Sequence, residues 1–399
     1  MGRAGGDFDD IEWVDDGSEL TAPPRLPWPR WLTVAVVVLS VAAVVAVLNT
    51  VRRTPPAAPP AALVTAPASS SRPAATTSVP AATSSPLAVS KLRLGHPLLG
   101  VSAGWELFAR GTGVLARIEP AAGRVTLTPV PDLRSGGPVY LLAGPDRAII
   151  RPLDSVPAYV VPDGQPARQL PGTLNEDGPV FPGPEPGQMW VRPADDHQPV
   201  MALATLDGDR LADFVQVPAG SSSFEAVGDG AGYLLYPGIG GVYAARPDGP
   251  HRISTGALLA VGPTGWLVVE CDAQYRCRTV LIDRLDGSRR TVPTTLASRD
   301  RSGVISPDGS TAAMMTAGQN GSSGLYLLDL VTGSRRAVDV AVTQQTLDGA
   351  IAFSPDGKWL FAITAGGELA VIDRRTGVVS DLDVPLPTLS QLAVRPASY

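Results

Sequence analysis

Lysine is almost missing from this sequence: Lys91 and Lys358 are the only two among 32 basic residues. Histidine is nearly as scarce. His96, His197 and His251 stand far apart, at no spacing that would let them share a metal ion. The formal charge of −6 is carried without any basic stripe, which argues against a nucleic-acid partner, because phosphate binding leaves a concentrated positive footprint. Cysteine appears twice, in Cys271-Asp-Ala-Gln-Tyr-Arg-Cys277. Two further ligands would be needed for zinc, so a disulfide stapling a hairpin is the reading the pair supports, and it fits an oxidising compartment. Unpaired thiols and a structural metal are the alternatives.

Glycine and proline, by contrast, are plentiful, at 42 and 40 residues. That is too much of both for long helices and suits short strands joined by many tight turns. One large all-β domain is expected, because the first 90 residues hold nothing able to build a core.

Those first residues divide into three parts. Residues 1–30 carry seven acids against three arginines and are expected to form an acidic disordered tail. From Trp31 to Val51 the chain reads WLTVAVVVLSVAAVVAVLNTV, with no charge. About 20 such residues, at ~1.5 Å each, span a ~30 Å hydrocarbon core, so 31–51 is expected to be one transmembrane helix. A cleaved signal peptide is the competing reading, but the preceding segment is long for one and no small-x-small cleavage site follows. Residues 52–90 form a Pro/Ala/Ser/Thr-rich linker: positions 54–89 hold 8 Pro, 11 Ala and 11 Ser or Thr, too little apolar side chain to offset the entropy of ordering.

Orientation is nearly a tie by arginine counting, with Arg25 and Arg30 before the span and Arg52 and Arg53 after it. The cysteine pair and the linker composition place the tail in the cytoplasm and residues 91–399 outside, at the cell membrane.

The fold is read from repeats. Phe353-Ser-Pro-Asp-Gly-Lys-Trp-Leu-Phe361 and Ile305-Ser-Pro-Asp-Gly-Ser-Thr-Ala-Ala313 each join two apolar strands through a Pro-Asp-Gly turn, and they lie 48 residues apart. Degenerate relatives recur upstream at Gly262, Gly228, Gly183, Gly144 and Ser102, at gaps matching a propeller blade of ~40–45 residues. Aromatics open the next strand at Trp105, Trp190, Tyr233, Trp266 and Trp359, which reads as packing between blades. A second ruler gives the same count, in the turn glycines Gly123, Gly164, Gly208, Gly249, Gly287, Gly333 and Gly377. The expected architecture is therefore an all-β, seven-bladed β-propeller of four-stranded blades over 91–399. An eighth inner-strand motif, Leu389-Ser-Gln-Leu-Ala-Val-Arg-Pro396, is expected to complete the first blade and close the ring.

The apolar-Ser-Pro-Asp-Gly frame resembles the repeat of TolB-type propellers, which are similar in outline to WD40 domains. The Gly-His and Trp-Asp signatures of WD40 proper are missing. What the resemblance implies is a platform for protein contacts.

No catalytic residue, metal site or cofactor emerges. The serines of Gly220-Ser-Ser-Ser223 and Gly321-Ser-Ser-Gly324 do not fit a nucleophile elbow. Asp195-Asp196-His197 reads as a solvated loop, and Asp207-Gly-Asp209 as a turn lacking the later glutamate of a calcium loop. Gly228-x-Gly-x-Gly232 lacks a following helix. In the tail, Phe8, Ile11, Trp13 and Val14 are set among acids, a pattern able to dock a basic groove on a cytoplasmic partner by folding on contact, with a merely solvating tail as the alternative. The reading is a non-enzymatic, single-pass membrane protein whose propeller binds another protein or an envelope polymer. The alternative is a propeller with a ligand site in its central funnel, either glycan-binding or a hydrolase- or lyase-like enzyme.

Overall fold

The computed structural model describes residues 89–396 apart from 103, 132, 134–138, 153–156, 171–177, 194–199, 220, 222–225, 239, 295, 297–299, 317–321 and 344–348. The expected tail and membrane span, and all but the last two residues of the linker, lie outside them. Among the described residues no helix is long and apolar enough to cross a membrane.

What is described is a β-propeller. Strands β1 (Ser90–Arg93), β2 (Glu106–Gly111), β3 (Val114–Glu119) and β4 (Arg124–Pro129) come first. A sheet of β5 (Val139–Ala143), β6 (Arg147–Pro152), β7 (Tyr159–Pro162) and β8 (Arg168–Gln169) follows. The next comprises β9 (Val180–Pro182), β10 (Gln188–Val191), β11 (Val200–Thr205) and β12 (Arg210–Gln216). Another holds β13 (Val227–Gly228), β14 (Leu234–Gly238), β15 (Gly241–Ala244) and β16 (His251–Ser254). Two antiparallel meanders come after it. One is β17 (Ala257–Gly262), β18 (Gly265–Cys271), β19 (Cys277–Asp283) and β20 (Arg289–Val292). The other is β21 (Asp300–Ile305), β22 (Thr311–Thr316), β23 (Ser322–Asp329) and β24 (Arg335–Thr343). A sheet of β25 (Ile351–Phe353), β26 (Trp359–Ile363), β27 (Leu369–Asp373) and β28 (Val379–Asp381) precedes the last strand, β29 (Leu389–Arg395).

The sheets correct the expected count of seven separate blades. Five stand as separate blades, and β17–β20 and β21–β24 are fused into one eight-stranded sheet. Fusion occurs because Ala260 and Val261 pair in parallel with Gly303 and Val304. Small side chains permit it: a Cβ placed on Gly303 would already lie 3.3 Å from that of Ala260.

β29 pairs with β2 from Glu106↔Arg395 to Gly111↔Leu389, so the last strand does complete the first sheet. β1 adds a fifth strand on the far side, against β4, and a 3-10 turn over Leu98–Gly100 leads from it towards β2.

All seven turn glycines have positive φ, from 54° to 130°. At Gly123 the requirement is strict, because an added Cβ would meet the His96 carbonyl oxygen at 2.0 Å. Apolar clusters fill the spaces between neighbouring sheets. Leu107 and Ala109 meet Phe361 and Ile363 on one side of the first sheet, and Phe108 and Leu115 meet Ala148 and Ile150 on the other. This alternation along β2 is the period-2 pattern of a strand buried on both faces.

The aromatics lie where the repeat places them. Trp105 contacts Phe361 with ring centres 5.7 Å apart, and Tyr233 meets Trp266 edge-on at 6.1 Å. Trp190 donates from Nε1 to the Gly232 carbonyl at 2.8 Å. Each contact joins two different sheets.

Candidate functional site

In an antiparallel meander the turn between the first two strands and the turn between the last two lie at the same end. The Ser-Pro-Asp-Gly motifs are such turns, and in each the serine hydroxyl bonds within its own turn. Ser306 Oγ donates to Asp308 and Ser354 Oγ to Asp356, each at 2.6 Å. The same hydroxyl oxygens accept the amides of Thr311 at 3.1 Å and Trp359 at 3.0 Å. The motif that revealed the fold is thus turn chemistry, each serine hydroxyl being bonded within its own turn.

Ion pairs cross between neighbouring sheets at this end. Arg147 bonds Asp207, Arg284 Nε donates to Asp229 at 2.8 Å, and Arg374 Nη1 donates to Asp308 at 2.7 Å. At the closure, Arg395 bonds Asp163 and Glu106. Asp229 is fully buried; burial pushes its carboxyl up against the pull of Arg284, and the amides of Ala231 and Tyr233 also donate to it. Burial likewise tends to raise the Asp308 carboxyl. Donors from Arg374, Ser306 and Ser310 outweigh it and hold the group well below its ordinary value.

Between β21–β24 and β25–β28 this end opens into a cleft of about 560 Å³. Four of its lining residues, Arg336, Lys358, Arg374 and Arg375, are cationic, and Trp359 forms part of the wall. The facing acids, Asp329 and Asp373, are engaged by their own turns: Asp329 accepts the amides of Val331 and Thr332, and Asp373 accepts the amide and hydroxyl of Thr376. Among the described residues no salt bridge reaches Arg336, Lys358 or Arg375, and Arg336 Nη1 donates only to the Arg375 carbonyl oxygen. A second hollow, beside Arg147 and Arg168, differs in that both cations are paired with Asp207.

The tips of the β23–β24 and β27–β28 hairpins, which carry lining residues of the cleft, are apolar, as is the tip of the preceding β19–β20 hairpin. Leu285, Val331 and Val378 are 71%, 63% and 61% exposed, and each sits next to a turn glycine or one residue further from it in three consecutive third-to-fourth-strand hairpins. The rim therefore offers cations and hydrocarbon together.

Cys271 and Cys277 are joined as expected, as register partners at the loop end of β18 and β19 with Cα atoms 3.9 Å apart. The loop between them is exposed, with Tyr275 at its tip and Asp272 accepting the Gln274 and Arg276 amides. One residue inside the bridge, Glu270 is buried and accepts from Ser254 at 2.8 Å and from Arg289 and Arg278. Those donors overcome the burial that would raise its carboxyl, and hold it low.

Phe8, Ile11, Trp13 and Val14 lie outside the described residues, as do Asp195, Asp196 and His197. Asp207 serves the ion pairs above, and Asp229, inside the Gly228-x-Gly-x-Gly232 run, serves Arg284. Of the serine loops, the side chains of Ser221 and Ser323 are described. Among the described residues no group of three or more metal-binding side chains comes together. Sequence reading missed the cleft. Its signal was the arginine doublets beside turn glycines, Arg335-Arg336 and Arg374-Arg375, together with the rare Lys358 inside a Pro-Asp-Gly turn.

No protein family's sequence profile matches this chain, and no curated protein matches it. Solved structures similar to it include TolB from Acinetobacter baumannii, at 15% identity over 73% of this chain and 82% of that one, with a TM-score of 0.39. AztD from Citrobacter koseri is similar at 14% identity over 70% and 80%, with a TM-score of 0.43. A puromycin-hydrolysing peptidase of Mycobacterium tuberculosis is similar at 14% identity, over 73% of this chain but 56% of that one, with a TM-score of 0.39. At these values no ligand, partner or reaction passes from those proteins to this chain.

Proposed function

We propose that this chain is a TolB-type propeller of seven blades, tethered to the cell membrane by one helix over 31–51 and held outside the cytoplasm, where it serves as a non-enzymatic docking platform. The count of seven treats the eight-stranded sheet as two blades, in keeping with seven turn glycines at positive φ. The disulfide of Cys271 and Cys277 supports an oxidising compartment.

One observation carries the docking role: a cleft where, among the described residues, no salt bridge reaches Arg336, Lys358 or Arg375, walled by hairpins whose tips carry the exposed Val331 and Val378. Exposed apolar groups edged by charge mark interaction surfaces, and unneutralised cations select a partner that presents carboxylates. The favoured partner is a protein whose contact face mixes acidic and apolar residues.

Crosslinking in the native membrane tests this with a triple R336E/K358E/R375E variant. Wild-type chain should capture a partner that the variant loses, and undiminished capture by the variant would overturn the docking role of the rim. Recovery of an anionic envelope polymer in place of a protein would move the platform to that class of ligand. Protease added to spheroplasts checks placement separately, since only an outward propeller is degraded.

A further inference from the structure

Arg110, on β2, is 1% exposed. It lies on the same side of the strand as Phe108, which shares an apolar cluster with Leu115, Val139 and Ile150 and has the Arg395 guanidinium 4.6 Å from its ring centre. None of its three side-chain nitrogens, Nε, Nη1 and Nη2, has a hydrogen-bond partner, and among the described residues no carboxylate forms a salt bridge with it. Arg395, on the neighbouring β29, shows the contrast. It is almost as buried, yet it is held by Glu106 and Asp163.

Burial lowers the Arg110 guanidinium to about 10, which still leaves it charged at neutral pH. An ion in an apolar interior without a counter-ion is strongly destabilising. Lysine could shed its proton in such a place, whereas arginine does not. The flanking positions supply no opposing charge: Leu115 is its register partner on β3, and Gln391, itself buried, is its partner on β29.

We propose that Arg110 anchors a buried anion site that takes a carboxylate. The planar fork of N–H donors matches the two oxygens of a carboxylate in a bidentate pair, and the hydrocarbon of Phe108 and Leu115 suits a small organic anion. Because β29 is the edge strand of this sheet and β2 lies next to it, the site is one strand away from that edge. The carboxylate belongs either to a free small acid or to the end of a larger ligand. This proposal is independent of the docking rim.

The test is thermal unfolding of the full-length chain in sodium formate, with ionic strength held constant by sodium fluoride. Wild type should show a saturable rise in Tm of a few degrees. R110M should show none. Without formate, R110M should be at least as stable as wild type, since the variant removes an uncompensated charge, and saturating formate should reverse that order. A rise common to both proteins, or absent from both, overturns the site. Line broadening of ¹³C-formate by the wild-type chain, relieved by unlabelled formate, gives a readout that does not depend on the variant folding, and its absence also overturns the site. Repeating the titration with N-acetylglycine separates the two sources: binding of formate alone assigns a free small acid, and binding of both assigns the terminal carboxylate of a ligand.

Discussion

Arg395 grips Asp163 with two parallel hydrogen bonds, Nη1 to Oδ2 at 2.7 Å and Nη2 to Oδ1 at 2.9 Å, across 232 residues of sequence. The same guanidinium lies 4.6 Å from the Phe108 ring centre and 2.8 Å from Glu106. One side chain thus ties β29 to β2 and to the β7–β8 turn of the next sheet.

Removing one partner of a buried pair leaves the other charge uncompensated, which costs about 3–5 kcal/mol. R395M is therefore expected to lower resistance to urea by about 3 kcal/mol, with D163N milder because Asp163 is the more exposed partner. A loss below 0.5 kcal/mol for R395M would mean that the closure does not depend on this contact.

Deleting 389–399 exposes the inner edge of β2, whose partner residues run from Glu106 to Gly111. Unpaired strand edges recruit other chains. The deletion is expected to convert the protein to aggregates or edge-paired dimers in size-exclusion chromatography, and a monomer of undiminished stability would contradict the closure.

The Cys271–Cys277 bridge closes a short loop, and the chain-entropy relation gives about 2 kcal/mol for it. C271S with C277S should lose that amount in denaturation, and dithiothreitol should destabilise wild type but leave the double variant unmoved. Equal sensitivity of both proteins would show that the bond does not form.

Asp308 makes a pH prediction. Its carboxyl ordinarily titrates near 3.8 and is held lower in the fold, where the donors from Arg374 and the serines outweigh burial. A depressed carboxylate contributes stability above its unfolded value and loses that contribution as pH falls through the folded one. D308N should be less stable than wild type at pH 7 by about 1 kcal/mol or less, because the Asp308 side chain is about half exposed. The gap should close below about pH 4. A gap that widens in acid would reverse the assignment.

Much of the fold was legible because its determinants are local. Gly123 through Gly377 need positive φ whatever surrounds them, and the Ser-Pro-Asp-Gly turns satisfy their own donors. Cys271 and Cys277 are close enough in sequence to be paired by a single hairpin. Fusion of β17 with β21 escaped because it depends on two small residues, Ala260 and Gly303, meeting across 43 positions. The cleft escaped for a related reason: Arg336 and Lys358 come together only when separate sheets are placed side by side. Arg110 reads in sequence like any strand arginine, and only the packing of the neighbouring sheet shows that it is buried.

The completion of the first sheet by the last strand sets an order of events during synthesis. Arg110 and Ser390 are 280 residues apart, so at about 5–20 residues per second some 15–55 s pass before β2 can meet β29. Throughout that interval the earliest strands exist with one edge unprotected. Closure therefore happens late, which makes that interval the time when a chaperone or an intruding strand has access to β2.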